Sequence, residues 1–182
     1  MRELEQLANE LDPEAFTCRA IIETPNGSPA KFAYDLESGL FHLGKLLPLG
    51  LAFPVDFGFI PSTLGGDNDP LDVLVLPEVH LPVGTLLEVR LLGIMEAEQR
   101  KANKRPKRND RIIARLIDSR LYPGIDDLSQ LGHAFVDELA VFFQTYKALR
   151  GQTYEILNVG GPDRAIAIIR EGERRFQAKQ AA

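Results

Sequence analysis

Leu4, Leu7, Ala8 and Leu11 recur at steps of three and four, which predicts a short amphipathic helix over residues 2–11, stopped at Asp12-Pro13. From there to about residue 120 the pattern turns to short apolar runs. Strands are predicted at 16–24, 31–35, 39–43, 72–76, 85–95 and 111–117. Clusters such as T-P-N-G-S-P and L-G-G-D-N-D-P separate them. Asp126 and Asp127 then offer N-cap chemistry for a helix over about 128–149. Leu128, Leu131, Phe135, Leu139, Phe142, Tyr146 and Leu149 form one apolar stripe there, closed by Gly151. A last strand near 153–158 and a helix over about 163–177 complete the pattern, with a frayed tail expected at 178–182. Strands first and helices afterwards predict an α+β chain, 1–182 as one domain, whose sheet curls into a small barrel.

Composition narrows the class. The 182 residues are 45% hydrophobic and 26% charged, which excludes wholesale disorder and a fibrous repeat. The single cysteine, Cys18, cannot form an internal disulfide, so a reducing cytoplasm is expected and Cys18 reads as a core residue. The acidic start M-R-E-L-E does not read as a signal peptide. Pro48, Gly50, Pro54 and Asp56 interrupt the best apolar stretch, so no membrane span is expected. His42, His80 and His133 lack ligand-spaced partners and read as surface or structural residues.

Charge is uneven. Residues 100–111 (R-K-A-N-K-R-P-K-R-N-D-R) hold seven basic residues and one acid, a net +6 that leaves −11 on the rest of a chain whose total is −5. The run reads either as a solvated loop between strands or as a surface for phosphate or another polyanion. It contains no aromatic residue and Pro106 interrupts it, so a base-stacking, nucleic-acid role is not expected.

The acidic turn G-G-D-N-D-P-L-D-V-L-V-L, 65–76, carries the chemistry. Asp67, Asp69 and Asp72 stand at the mouth of an apolar strand, with Pro70 fixing the chain between the last two. Carboxylates converging at about 5 Å would repel by about 3 kcal/mol per pair at an effective dielectric of 20, which a hard divalent cation would cancel. Pointing into water, the same triplet is only an Asp-rich turn, with repulsion near 0.8 kcal/mol. A helix–loop–helix calcium loop is excluded, because Asp72 replaces the required glycine and V-L-V-L continues as a strand.

The stretch F-P-V-D-F-G-F-I-P-S-T-L-G-G-D-N-D-P-L-D-V-L-V-L, 53–76, resembles the signature of the family I soluble inorganic pyrophosphatases. I-I-E-T-P at 21–25, P-A-K-F at 29–32 and F-F-Q-T-Y-K at 142–147 support it in the same order, so the likeness covers about 16–176. The resemblance implies a five-stranded OB-like barrel with flanking helices, the C-terminal helix packed on it. It also implies hydrolysis of pyrophosphate to two phosphates by a metal-activated water, with Mg²⁺ or Mn²⁺, in a homo-oligomer that is commonly a hexamer. Carried over residue by residue, it places Asp67 and Asp72 as metal ligands, Asp69 as the general base and Glu23 as an acid lining the cavity, with Glu23 and Asn109 counted among the candidate metal residues. Lys31, Lys45, Arg111, Tyr146 and Lys147 would bind phosphate.

The departures are as specific. Ala33 stands where the resemblance expects a cavity glutamate, and Lys45 where it expects an arginine. Phe57 replaces a tyrosine. On the following strands two aspartates are expected. Glu96 and Glu98 fall out of register, and Asn109 offers a metal only a neutral carbonyl, with Asp110 on the wrong strand parity. These losses favour weakened metal sites. They also leave open an alternative reading: a catalytically weak relative that binds a nucleotide or other polyanion through 100–111.

Overall fold

The computed structural model describes residues 3–181. The strands are β1 (Thr17–Thr24), β2 (Ala30–Asp35), β3 (Leu40–Leu46), β4 (Asp56–Ile60), β5 (Leu71–Val75), β6 (Leu86–Lys101), β7 (Lys107–Arg108), β8 (Arg111–Leu116) and β9 (Gln152–Gly160). Helix α1 spans His133–Ala148 and α2 spans Pro162–Gln180. The pairings run β1-β4-β5-β8-β6 and return from β6 to β1, a barrel-like ring of five strands. Among the described residues only β5 and β8 pair in parallel, with Asp72 opposite Arg111. The expected α+β barrel with a C-terminal helix packed on it is the observed architecture.

Strand alternation sorts the apolar residues into two clusters. The first takes side chains from all five ring strands, including Ala20, Ile60, Val73, Val89, Ile94 and Ile112, and α2 adds Ala165 and Ile169. A cluster fed by every strand of a ring is its interior. The intervening positions Phe57, Leu74, Met95 and Ile113 face outward and meet Leu139, Phe143 and Tyr146 of α1. Cys18 is buried in the first cluster, and that burial pushes its thiol up to about 12. Gly58 is required in β4, because a Cβ there would stand 2.0 Å from the Ile21 carbonyl oxygen of β1.

Several expected boundaries move. Within 2–11 only a 3₁₀ turn at Leu4–Gln6 forms; Met1 and Arg2 lie outside the described residues. Helical spacing there is overridden by tertiary bonds: Asn9 Nδ2 donates to the Pro61 carbonyl at 3.2 Å and to Glu173 at 2.9 Å, holding the segment against α2. Of the tail expected to fray, residues 178–180 instead form the last turn of α2, which ends at Gln180; Ala182 lies outside the described residues. D-F-G-F-I, taken as part of a motif, is the fully buried strand β4. The helix expected at 128–149 divides into a 3₁₀ turn, Leu128–Leu131, and α1, with Gly132 between them at φ 80°. Leu149 lies beyond α1 and is exposed.

Candidate active site

The acidic turn is built by backbone bonds before any ligand is considered. Gly65 N–H donates to the Asp69 carbonyl at 2.7 Å, and Asn68 takes the left-handed conformation at φ 73°. Thr63 Oγ1 donates to the Ile60 carbonyl at 2.6 Å and accepts from Leu71 N–H at 3.0 Å, which fixes where β5 begins. Ser62 Oγ donates to the Leu7 carbonyl at 2.8 Å, so both hydroxyls here are spent on backbone carbonyls. Gly66 admits the neighbouring hairpin, since a Cβ there would stand 2.6 Å from Arg108 Cβ.

This turn forms one wall of a cleft of about 320 Å³ at the outer face of the ring, against α1. Of the residues singled out in the sequence, Asp67, Asp69, Asp72, Asn109, Lys31, Lys45, Arg111, Tyr146 and Lys147 all line it. Glu23 is not on that lining. Its Oε1 accepts the Tyr34 N–H at 2.8 Å behind β2, and burial raises its carboxyl to about 7 despite the nearby Lys31.

Two local features supply residues that motif reading missed. Along β6, Ala97, Gln99 and Lys101 share a face, so Gln99 and Lys101 reach the cleft while Glu98 points away. Arg150, three residues past Lys147 in the turn that closes α1, donates its N–H to the Lys147 carbonyl at 3.0 Å and also reaches the cleft. Both features lie within short stretches of sequence; which β6 face meets the cleft does not follow from them.

The acids outside the cleft are engaged elsewhere. Glu96 accepts from Arg164 at 2.8 and 2.7 Å, Arg108 at 2.8 Å and Asn158 at 2.9 Å, and Arg164 first among these holds its carboxyl down at about 2. Asp110 accepts the Ala97 N–H at 2.9 Å and pairs with Arg108 at 2.8 Å. Strand parity thus turns Asp110 toward β6 and its neighbour Asn109 toward the acidic turn.

The cleft electrostatics are cation-rich. Lys31, Lys45, Lys101, Arg111, Lys147 and Arg150 face three carboxylates. Burial lowers Lys147 to about 7 and Lys45 to about 8, with neighbouring cations adding to both shifts. Burial likewise raises Asp72, which Lys31 and Arg111 partly offset. Asp69 is raised by desolvation and then by Asp67, although its side chain is exposed at the cleft mouth.

Arg111 is only 2% exposed, its guanidinium carbon 3.9 Å from the Phe143 ring centroid and 4.4 Å from that of Tyr154. Among the described residues its one ion-pair contact is Asp72 Oδ2 at 3.8 Å, and its Nε and Nη1 have no partner. Asn109 Oδ1 and Tyr146 Oη are also buried without partners. Buried polar groups left unpaired are costly. Four such atoms on three cleft residues are free to engage a polar ligand.

The hard oxygens fit a divalent cation. Asp67 and Asp72 supply carboxylates and Asn109 Oδ1 is an unused neutral oxygen. Among the described residues no group of three or more His, Cys, Asp or Glu is gathered closely enough to hold a metal without such help.

Residues 20–177 match the family model for inorganic pyrophosphatase. The chain is 36% identical over 141 residues to the inorganic pyrophosphatase of Thermus thermophilus, covering 78% of each chain. It is 33% identical over 162 residues to that of Ralstonia nicotianae, covering 86% of this chain and 89% of the relative. The crystal structure of the Thermus thermophilus inorganic pyrophosphatase superposes with a TM-score of 0.86 at 31% identity, over 97% of this chain and 99% of that one. The Neisseria gonorrhoeae inorganic pyrophosphatase superposes at 0.85 and 28% identity, over 96% and 99%.

Proposed function

The chain belongs to the inorganic pyrophosphatase family, and from that premise we propose that its cleft hydrolyses inorganic pyrophosphate to two phosphates with the help of a divalent cation. The observation that carries the reading is the convergence of three carboxylates with buried, partnerless donors on Arg111 and Tyr146. A dense anion is what such donors accept.

We assign the cation, Mg²⁺ or Mn²⁺, to Asp67, Asp72 and Asn109; bound there it would offset phosphate charge and make a water more acidic. Arg111 offers its unpaired Nε and Nη1 to phosphate oxygens, its guanidinium held over the Phe143 and Tyr154 rings. Lys31, Lys45, Lys147 and the Tyr146 hydroxyl hold the remaining oxygens. Asp69, exposed at the mouth and raised above its usual range, takes the proton of the attacking water. Glu23 acts from behind, as a buried acid beside Lys31. Lys147 Nζ donates to Gln99 Oε1, so a neutral amide orients this lysine.

Two wider expectations belong with this reading. The exposed Leu40, Leu43 and Leu46 on β3 support a homo-oligomer, to be measured by sedimentation. The lone buried thiol of Cys18 suits a cytoplasmic location.

Phosphate release from pyrophosphate in MgCl₂ tests the function. Release that depends on both protein and metal is expected, and is lost in Asp72→Asn. No release above the metal blank at high protein concentration overturns it.

A further inference from the structure

The basic run is not the simple solvated loop that its composition allows. Arg100 and Lys101 end β6, Lys107 and Arg108 form β7, and the two strands pair with Gln99 opposite Lys107. Arg108 at its foot is committed to Glu96 and Asp110. Arg111, the last basic residue, is the buried cleft arginine. Two of the seven cations therefore serve the interior, and the hairpin presents the others.

A second cavity of about 430 Å³ opens along this hairpin. It shares Asp67, Asp69, Gln99 and Lys101 with the cleft, and adds Lys104, Arg105 and Lys107. Because the shared wall includes Asp69, the two spaces form one trough that passes the proposed base. Among the described residues, Lys101, Lys104, Arg105 and Lys107 form no ion pair. Four unpaired like charges on one short hairpin repel one another, and an anion laid along them relieves that repulsion.

The cleft already offers six cations to an anion as small as pyrophosphate. Lys104, Arg105 and Lys107 line only the second cavity, further along the trough, where a longer anion reaches them. No aromatic side chain lines the second cavity, so it gives a nucleobase nothing to stack on.

We propose that the trough accepts a linear inorganic phosphate chain of three or more phosphates, with its reacting end in the cleft and the following phosphates against Lys104 and Arg105. This rests on the cleft being a phosphoanhydride hydrolase. Cleavage consumes one water. Its oxygen joins the attacked phosphorus, the bridging P–O bond breaks, and the bridging oxygen leaves with the other phosphate fragment. The water's protons are shared between the product phosphates and solvent, and no oxidant or further reactant is needed.

The full-length protein and its Lys104→Ala/Arg105→Ala variant test this with tripolyphosphate, pyrophosphate and ATP. Two readouts are used: calorimetric binding without divalent cation, and phosphate release with MgCl₂. The double variant should weaken tripolyphosphate binding and raise its KM by about ten-fold or more, while pyrophosphate changes by less than about two-fold. ATP should bind the wild type more weakly than tripolyphosphate does. An equal loss for both inorganic ligands, or no loss for either, overturns the proposal. ATP binding more tightly than tripolyphosphate overturns the inorganic chain as occupant. A wild type that prefers tripolyphosphate in calorimetry yet releases no phosphate sinks the hydrolytic reading and leaves the trough's ligand class standing.

Discussion

The side-chain amide of Asn109 donates to Asp67 Oδ2 at 2.7 Å, so a neutral residue on the approach to β8 holds a carboxylate of the acidic turn in place. An amide at this point does two opposed things. It steadies the turn when no cation is bound, and it withholds a negative charge when one is.

Asn109→Asp should separate these effects. Two carboxylates at hydrogen-bonding distance repel by several kcal/mol at an effective dielectric of 20, until a proton or a cation intervenes. We expect a lower Tm without metal, a larger rise in Tm on adding MgCl₂, and a lower Mg²⁺ concentration for half-maximal activity. Thermal melts with and without MgCl₂, beside a magnesium titration of phosphate release, check all three. A magnesium response identical to wild type would remove residue 109 from the metal's surroundings.

Asp69→Asn should cost about 10²- to 10⁴-fold in kcat with pyrophosphate, the usual contribution of a positioned general base. The fold should persist, because Asp69 is exposed and its removal relieves repulsion from Asp67. Circular-dichroism melts and steady-state kinetics on the same preparation distinguish the two effects; full activity in the variant would deny Asp69 the role of base.

Anion binding should weaken as pH rises. Lys147 is lowered to about 7 and Lys45 to about 8, so both are charged below pH 7 and both are neutral well above pH 8. A bound anion favours the charged forms and moves the midpoints upward. Sulfate keeps a constant charge across this range and is a clean probe. Its calorimetric affinity without metal should fall between about pH 6.5 and 9, and Lys147→Met should lower the affinity and flatten the fall.

Glu96 should matter for stability more than for chemistry. Arg164 chiefly depresses its folded pKa from 4.5 to about 2, so its contribution is fully present above pH 4.5 and is lost as pH falls toward 2. Glu96→Gln should destabilise at pH 7 by about 2 kcal/mol, below the cost of breaking a fully buried pair because its arginine partners are partly exposed. Urea unfolding at pH 7 and pH 3 should show the difference between variant and wild type shrinking in acid.

The chemistry-bearing turn was legible from sequence because it is local. Asp67, Asp69, Pro70 and Asp72 lie within six residues, and the bonds that shape the turn, Gly65 N–H to the Asp69 carbonyl and Leu71 N–H to Thr63 Oγ1, are short-range. Most strands, though not β4 or β7, and the stripe of α1 were legible for a similar reason: periods of two and of about three and a half are properties of one element. The short segment 2–11 misled because its spacing was helical while its polar partners, Pro61 and Glu173, lie far along the chain.

What the tertiary structure decided is pairing and parity. Composition cannot say that Glu96 belongs to Arg164, that Asn109 meets Asp67, or that Gln99 and not Glu98 looks into the cleft. A strand shifted by one residue presents its other face, and only the register with its neighbours excludes that shift. Likewise the basic run shows its charge in the sequence, but its direction comes from a hairpin whose foot is pinned by Arg108 to Glu96 and Asp110. Residue types determined which chemistry this chain could perform. Long-range pairing in the folded ring determined which of those residues meet, because that information lies in contacts between strands and not in any one of them.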